Sequence, residues 1–204
     1  MRRRILWDVD TQIDFVLPHG KLYVAGAEHT APAMRRLVEA ARAAGIAHVA
    51  SADDHELTDA EISTEPDFHT TYPPHCLRGT RGGRRIPETD QEDPVPIGLE
   101  LLPERWLGGR EFLLLKKHFD VFTNPNTERV LAFLDPDEIV LFGVATDVCN
   151  DAAVRGLLER GRRVVFVEDA ARGLDEARTT TALAAWRERG VVFTTAADAV
   201  ESLR

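Results

Sequence analysis

Cysteine is scarce: Cys76 and Cys149 are the only two in 204 residues. Two thiols so far apart make no disulfide framework, and a reducing cytoplasm is the expected compartment. Long apolar runs are missing too. No stretch approaches the ~18 residues of a membrane-spanning helix. The run behind Met1-Arg2-Arg3-Arg4 stops at Asp8, too soon for the apolar segment of a signal peptide. Basic residues are outnumbered, 25 against 34 acidic, for a formal charge of −9. That deficit argues against nucleic-acid binding, which needs basic surface. Internal repeats and low-complexity tracts are absent. What is present, at 44% hydrophobic content, suits one globular domain over residues 1–204 with a sizeable core.

Apolar runs and helical patterns alternate along the chain, the rhythm of an α/β fold. Residues 5–10, 46–52, 112–116, 139–143, 164–167 and 191–194 read as strands. Residues 31–44, 128–134, 149–160 and 175–189 read as helices. Met34, Leu37, Val38 and Ala41 recur at helical spacing, and Gly161 closes the third helix. The strands are apolar without alternation, so both faces are covered. The expected architecture is three-layer and doubly wound: a mostly parallel sheet flanked by helices. Between residues 53 and 110 lies a long stretch rich in Pro, Gly, Thr and charge, with few clear elements. Stretches of that length in compact domains usually carry function or short helices of their own. Ligands of such sheets bind beyond the carboxyl ends of the strands, where Asp10, Asp53, Lys116 and Ala145 fall.

Cys149 ends the segment Gly143-Val144-Ala145-Thr146-Asp147-Val148-Cys149, at the mouth of the third helix. Free backbone N–H groups and the helix dipole there favour thiolate over thiol. Asp10 and Lys116 close two other strands, so the three reactive types meet at one sheet edge. A thiol needs a carboxylate to take its proton, and an ammonium offsets the repulsion between carboxylate and thiolate. Backbone N–H groups of Ala145 and Cys149 could then hold an oxyanion. Taken singly, each residue also fits a plainer role: a small buried hydrophobe, a capping aspartate, a solvated lysine. A second constellation lies in the long stretch. Asp53-Asp54-His55, with His75 further on, is compatible with an open three-ligand metal site. Glu61, Glu65, Asp67 and His69 lie between as candidate fourth ligands, and the same residues also suit a polar surface loop.

These motifs resemble, in order along nearly the whole chain, those of the isochorismatase-like cysteine hydrolases, and within them the nicotinamidases. Asp10-Thr11-Gln12-Ile13-Asp14-Phe15 resembles the family's opening block, and Asp53-Asp54-His55 its metal segment. Tyr72-Pro73-Pro74-His75-Cys76 with Gly79-Thr80 is similar to its aromatic-Pro-Pro-His-Cys segment. Lys116-Lys117-His118-Phe119-Asp120-Val121-Phe122 resembles its Lys-x-x-aromatic block, and residues 143–149 its nucleophile loop. The resemblance implies the isochorismatase-like hydrolase fold, with Cys149 as nucleophile, Asp10 as acid/base and Lys116 as charge partner. It implies a cis peptide between Val144 and Ala145, with Ala145 and Cys149 forming the oxyanion hole. Asp53, His55 and His75 become metal ligands for zinc, iron or manganese, with no organic cofactor. The family's second loop histidine is not at its expected place, and Asp67 is the closest match to the carboxylate some relatives use. Phe15 and Tyr72 become aromatic walls for a flat substrate. Family members that cleave vinyl ethers lack the cysteine, so the implied reaction is hydrolysis of a small amide, nicotinamide first. The alternatives are a sister amidase acting on a carbamoyl or ureido compound, a non-catalytic binding or assembly member, and a redox pair of Cys149 with Cys76. The expected protein is a cytoplasmic homo-oligomer that binds neither nucleic acid nor membrane.

Overall fold

The computed structural model describes residues 3–103 and 107–203. Seven strands form one parallel sheet: β1 (Arg4–Val9), β2 (Ala47–Asp53), β3 (Val95–Ile97), β4 (Glu111–Lys116), β5 (Glu138–Val144), β6 (Arg163–Arg172) and β7 (Val192–Thr194). Their spatial order is β3-β4-β2-β1-β5-β6-β7. From β1 the chain steps to β2, runs on to the edge strand β3, folds back into β4 between them, and then crosses to the other side of β1 for β5, β6 and β7. Helix α2 (Ala31–Ala43) connects β1 to β2, and α4 (Cys149–Glu159) connects β5 to β6. Crossovers of one hand running in opposite directions put these helices on opposite faces of the sheet. The winding reverses between β1 and β5, and a crevice opens there at the strands' carboxyl ends.

Burial explains why the strands read as apolar runs. Every residue of β5 is buried, as is β1 beyond Arg4, whereas β4 nearer the edge alternates. Trp7, Leu141 and Phe142 are inaccessible to solvent. Phe166 of β6 packs edge-on against Trp186 of α5 (Glu176–Glu188), whose indole donates to Asp151 of α4 at 2.8 Å. Gly143 is where β5 passes closest to β1. Its φ is +124°, and a Cβ there would lie 2.1 Å from the Val9 carbonyl oxygen. Only glycine permits that approach, which seats the segment after β5 beside the end of β1.

The structure corrects the sequence pattern in several places. The stretch after Asp53 contains a 3₁₀ turn at Pro87–Thr89 and the short strand β3. Three residues containing a proline are too few to show a period, and β3 is recognisable only through its pairing with β4. Strand β6 continues to Arg172 past a register shift opposite Leu141 and Gly143, which breaks the apolar pattern after Val167. Two further helices had no sequence expectation: α1 (Ile13–Val16), a single turn, and α6 (Ala196–Leu203), whose Ala199 and Leu203 are buried. Helix α3 (Thr127–Leu134) lies within a residue of its expected span. Among the described residues no helix is long and apolar enough to cross a membrane.

Candidate active site

Parallel register places Asp53 of β2 directly beside Lys116 of β4. Lys116 extends its buried side chain to the crevice, where its ammonium meets three groups. It pairs with Asp53 Oδ1, lies 2.9 Å from Asp10 Oδ2, and donates to Cys149 Sγ at 3.9 Å. Asp10 follows β1 with a left-handed backbone, φ +50°, and its Oδ1 accepts the Ser51 hydroxyl at 2.7 Å. That backbone region costs a non-glycine residue roughly 1–3 kcal/mol unless its surroundings impose it, and such strain gathers at functional sites. Asp10, Asp53, Lys116 and Cys149 are all buried.

Their protonation follows from that burial. Burial would lower the Lys116 pKa, but Asp10 and Asp53 outweigh it and hold the ammonium well above its usual range. Burial works to raise Asp53, yet Lys116 with His55 and His75 keeps it well below the carboxylate range. Asp10 is raised, by burial first and by Asp53, against the pull of Lys116. Cys149 is pushed well up, by burial first and then by Asp10 and Asp53, again with Lys116 opposing. The Lys116 ammonium works toward the thiolate, as the sequence suggests, but burial beside two carboxylates outweighs it and pushes the thiol up.

The segment between β5 and α4 is fixed on both sides. Thr146 N donates to Arg172 O at 2.9 Å, and Asn150 Nδ2 donates to Gly143 O at 2.9 Å. The Asp147 carboxylate accepts the Leu174 N–H at 2.6 Å and Arg178 Nε at 3.1 Å. The Val144–Ala145 peptide is cis. Among the described residues, the N–H groups of Ala145 and Cys149 have no backbone acceptor.

Beside this group lies a second one, of Asp53, His55, Glu61 and His75, whose ligand-capable atoms all fall within 4.8 Å of one another. Two backbone bridges assemble it: His55 pairs with Leu77, and Ile62 with Tyr72. His75 Nε2 is 3.3 Å from Asp53 Oδ2, and His55 Nε2 is 3.6 Å from both Asp53 Oδ2 and Glu61 Oε1. The outer nitrogens are engaged elsewhere, His75 Nδ1 with Pro73 O at 2.7 Å and His55 Nδ1 with Asp59 at 3.3 Å. Partners of this kind turn the other ring nitrogen inward. His55 Nε2 is buried with no hydrogen-bond partner. Burial alone would depress the His55 pKa, but Asp53 and Glu61 push it up to about 9. Two carboxylates and two imidazoles around an orphaned ring nitrogen fit a divalent cation.

Asp67, the fourth ligand suggested by the family resemblance, is elsewhere. Its exposed carboxylate accepts the N–H groups of His69, Thr70 and Thr71, which hold it far below the usual range and close a local turn. Glu61 occupies the fourth corner instead. It stood among the candidates, and its adjacency to Tyr72 across the loop could not be read from spacing. Glu65 and His69 also lie outside the cluster.

Phe15, Tyr72, Phe119, Val148 and Leu174 form the apolar wall of a narrow cavity ending at Cys149, Ala145 and His75. Phe15 lies 5.2 Å and Tyr72 6.3 Å from the His75 ring, centroid to centroid. Tyr72, Phe119 and Val148 also line an outer cleft of about 360 Å³, so they stand between it and the cavity. Phe119 and Leu174 had no site expectation. The Lys-x-x-aromatic spacing was the one signal for Phe119.

The isochorismatase domain model matches residues 5–198. The nicotinamidase of Escherichia coli (strain K12) is 24% identical over 192 residues, covering 86% of this chain and 85% of its own. The nicotinamidase/pyrazinamidase of Mycobacterium tuberculosis (strain ATCC 25618 / H37Rv) is 27% identical over 192 residues, with 92% and 96% covered. Among solved structures, the pyrazinamidase of Pyrococcus horikoshii in complex with zinc superposes with a TM-score of 0.75 at 22% identity, covering 95% of this chain and 99% of that one. An isochorismatase family protein from Desulfovibrio vulgaris reaches 0.79 at 21% identity, covering 100% and 99%. With the sheet order, the buried Asp–Lys–Cys group and a domain match over nearly all its length, the chain belongs to the isochorismatase family.

Proposed function

We propose that the chain is a cysteine-dependent amidohydrolase acting on a small flat amide, with nicotinamide, cleaved to nicotinate and ammonia, as the leading substrate. The observation that carries this reading is the Lys116 ammonium set among Asp10, Asp53 and Cys149 Sγ. Two relatives named as nicotinamidases over most of their length support the substrate, as do the aromatic walls of the cavity.

Asp10 takes the proton of the resting Cys149 thiol, and Lys116 stabilises the thiolate as it forms. Sulfur attacks the amide carbon, and the Ala145 and Cys149 N–H groups hold the oxyanion. Asp10 returns the proton to the nitrogen, the C–N bond breaks, and ammonia leaves a thioester on Cys149. Asp10 then deprotonates a water molecule that attacks the thioester, releasing the acid and restoring the thiol. Asp53, His55, Glu61 and His75 would hold a divalent cation of the zinc, iron or manganese class. Such a cation supplies a Lewis acid for a ring nitrogen and so orients a pyridine amide. Phe15 and Tyr72 flank the ring.

The test is an ammonia-release screen over nicotinamide, pyrazinamide, benzamide and carbamoyl or ureido amides, with and without chelator. Nicotinamide turnover that falls on chelation is the expected result. Turnover confined to a carbamoyl compound would replace the substrate and keep the mechanism. No turnover on any amide would end the reading.

A further inference from the structure

Glu61 is the side chain shared by the acid–imidazole cluster and the wall of the cavity. Its two carboxylate oxygens face different partners. Oε1 lies 3.6 Å from His55 Nε2, inside the cluster. Oε2 accepts the backbone N–H of Phe119 at 2.7 Å. Phe119 separates the outer cleft from the cavity that ends at Cys149. The Glu61 carbonyl, in turn, accepts the N–H of Tyr72 at 2.8 Å, and Tyr72 is a second residue on that boundary. Glu61 is itself only 2% exposed.

The residue type matters. An ionised carboxylate is acceptor-only and has two oxygens, so one can face a cation while the other accepts an N–H. Imidazole cannot serve both needs. Once one nitrogen of a neutral ring holds a cation, the other carries a hydrogen and would oppose the Phe119 N–H. An amide side chain has a single oxygen to divide between the two. Ordering a buried glutamate costs rotamer freedom and desolvation. A cation on Oε1 fixes the side chain and neutralises its charge, so Oε2 is held toward Phe119 at little further cost.

We infer that Glu61 is a positioning residue that couples cation binding in the cluster to the placement of Phe119, so that the loaded cluster sets the shape of the passage to Cys149. The inference rests on the cluster being a divalent-cation site. It adds an effect on the pocket to the orientation of the substrate ring.

The experiment measures zinc uptake by elemental analysis and, by NMR, hydrogen exchange at the Phe119 amide in zinc-loaded and chelator-stripped wild type. Amides of β6 and β7 serve as reference. The Phe119 amide should exchange about tenfold more slowly in the loaded protein, the scale of one hydrogen bond. Glu61→His should still take up zinc, lose the zinc-dependent protection at Phe119, and raise KM for nicotinamide by a larger factor than it lowers kcat. Glu61→Gln should lose zinc. Wild type that takes up no zinc overturns the cation reading and this inference together. Wild type that takes up zinc with no change at Phe119 overturns this inference alone, and needs no variant to fold. Zinc-dependent protection surviving in Glu61→His would also overturn it.

Discussion

Asp53 and Lys116 face each other across neighbouring parallel strands, and their ion pair joins the group around Cys149 to the acid–imidazole cluster. One oxygen of Asp53 meets the ammonium, while the other lies 3.3 Å from His75 Nε2. The two groups therefore share a carboxylate, and substitutions on either side of it should separate their roles. Asp53→Asn should abolish cation uptake and turnover together, and should destabilise the fold, because the buried Lys116 ammonium then keeps only Asp10 as its carboxylate partner. His75→Ala should abolish cation uptake while leaving the Lys116 pairings intact. Turnover of benzamide, which has no ring nitrogen, should then survive in His75→Ala and not in Asp53→Asn. Equal benzamide losses in the two variants would show that the groups do not divide at Asp53.

The two cysteines should behave differently although both are buried. Cys76 turns at φ +44°, and its N–H is held by Asp14 at 2.7 Å, so its backbone is structurally engaged, whereas Cys149 is the cysteine whose sulfur accepts from the Lys116 ammonium. Cys149→Ala should lower amide turnover by at least about 10³-fold, as loss of a nucleophile does. Cys76→Ala should keep turnover within about tenfold and cost about 1–2 kcal/mol of stability through the lost core volume. Ammonia release and a urea midpoint for each variant decide the matter. A Cys149 variant with near-normal turnover would exclude covalent catalysis.

Asp10→Asn should move two readouts in opposite directions. Asp10 helps to raise the Cys149 pKa, whereas Lys116 lowers it. Removing the negative charge leaves the ammonium less opposed, so the thiol pKa falls and more thiolate is present near neutrality. Alkylation by iodoacetamide at pH 7 should therefore become faster. Turnover should fall about 10²–10⁴-fold, because the proton-transfer group is gone. In wild type the alkylation rate should still climb from about pH 6 to 9, since the thiol titrates above the free-cysteine range. Slower alkylation in the variant would mean that Asp10 promotes the thiolate at rest.

What the sequence made legible follows the physics of each signal. Asp10 and Lys116 were readable because apolar strand runs stop at them, and Cys149 because it opens the helix that follows β5. Tertiary pairing was not readable. Glu61 reaches the cluster because Tyr72 pairs with it across a loop, and Asp67 is diverted into a turn by three backbone N–H groups. The upward push on the Cys149 thiol was also hidden, because it depends on complete burial beside two carboxylates. Helix α6 escaped notice for a simpler reason. Its eight residues fall short of the span over which a helical period can be read, and packing on α2 and β6 holds them in place.

Gln12 provides the last prediction, because it positions Asp53 without touching either the Lys116 ammonium or the imidazoles. Its buried amide makes three hydrogen bonds across the site. Oε1 accepts the Asp53 N–H at 2.7 Å, and Nε2 donates to the carbonyls of Asp53 and Gly83, both at 2.8 Å. The end of β2 is thereby clamped to the segment after β1 and to the loop leading from His75. Gln12→Leu keeps the approximate volume but leaves one N–H and two carbonyls unpaired in a buried place. Each such group costs about 1–3 kcal/mol before relaxation, so a stability loss of about 2–4 kcal/mol is expected. Supporting residues of this kind also govern ligand geometry, and zinc affinity should fall about 10–100-fold with every ligand still present. Gln12→Glu keeps an acceptor for the Asp53 N–H but sets a carboxylate against two carbonyl oxygens, so it should be no better than leucine. Urea unfolding and zinc titration measure the two effects separately. If Gln12→Leu loses stability with no change in zinc affinity, the clamp supports the fold alone and Asp53 is oriented by Lys116.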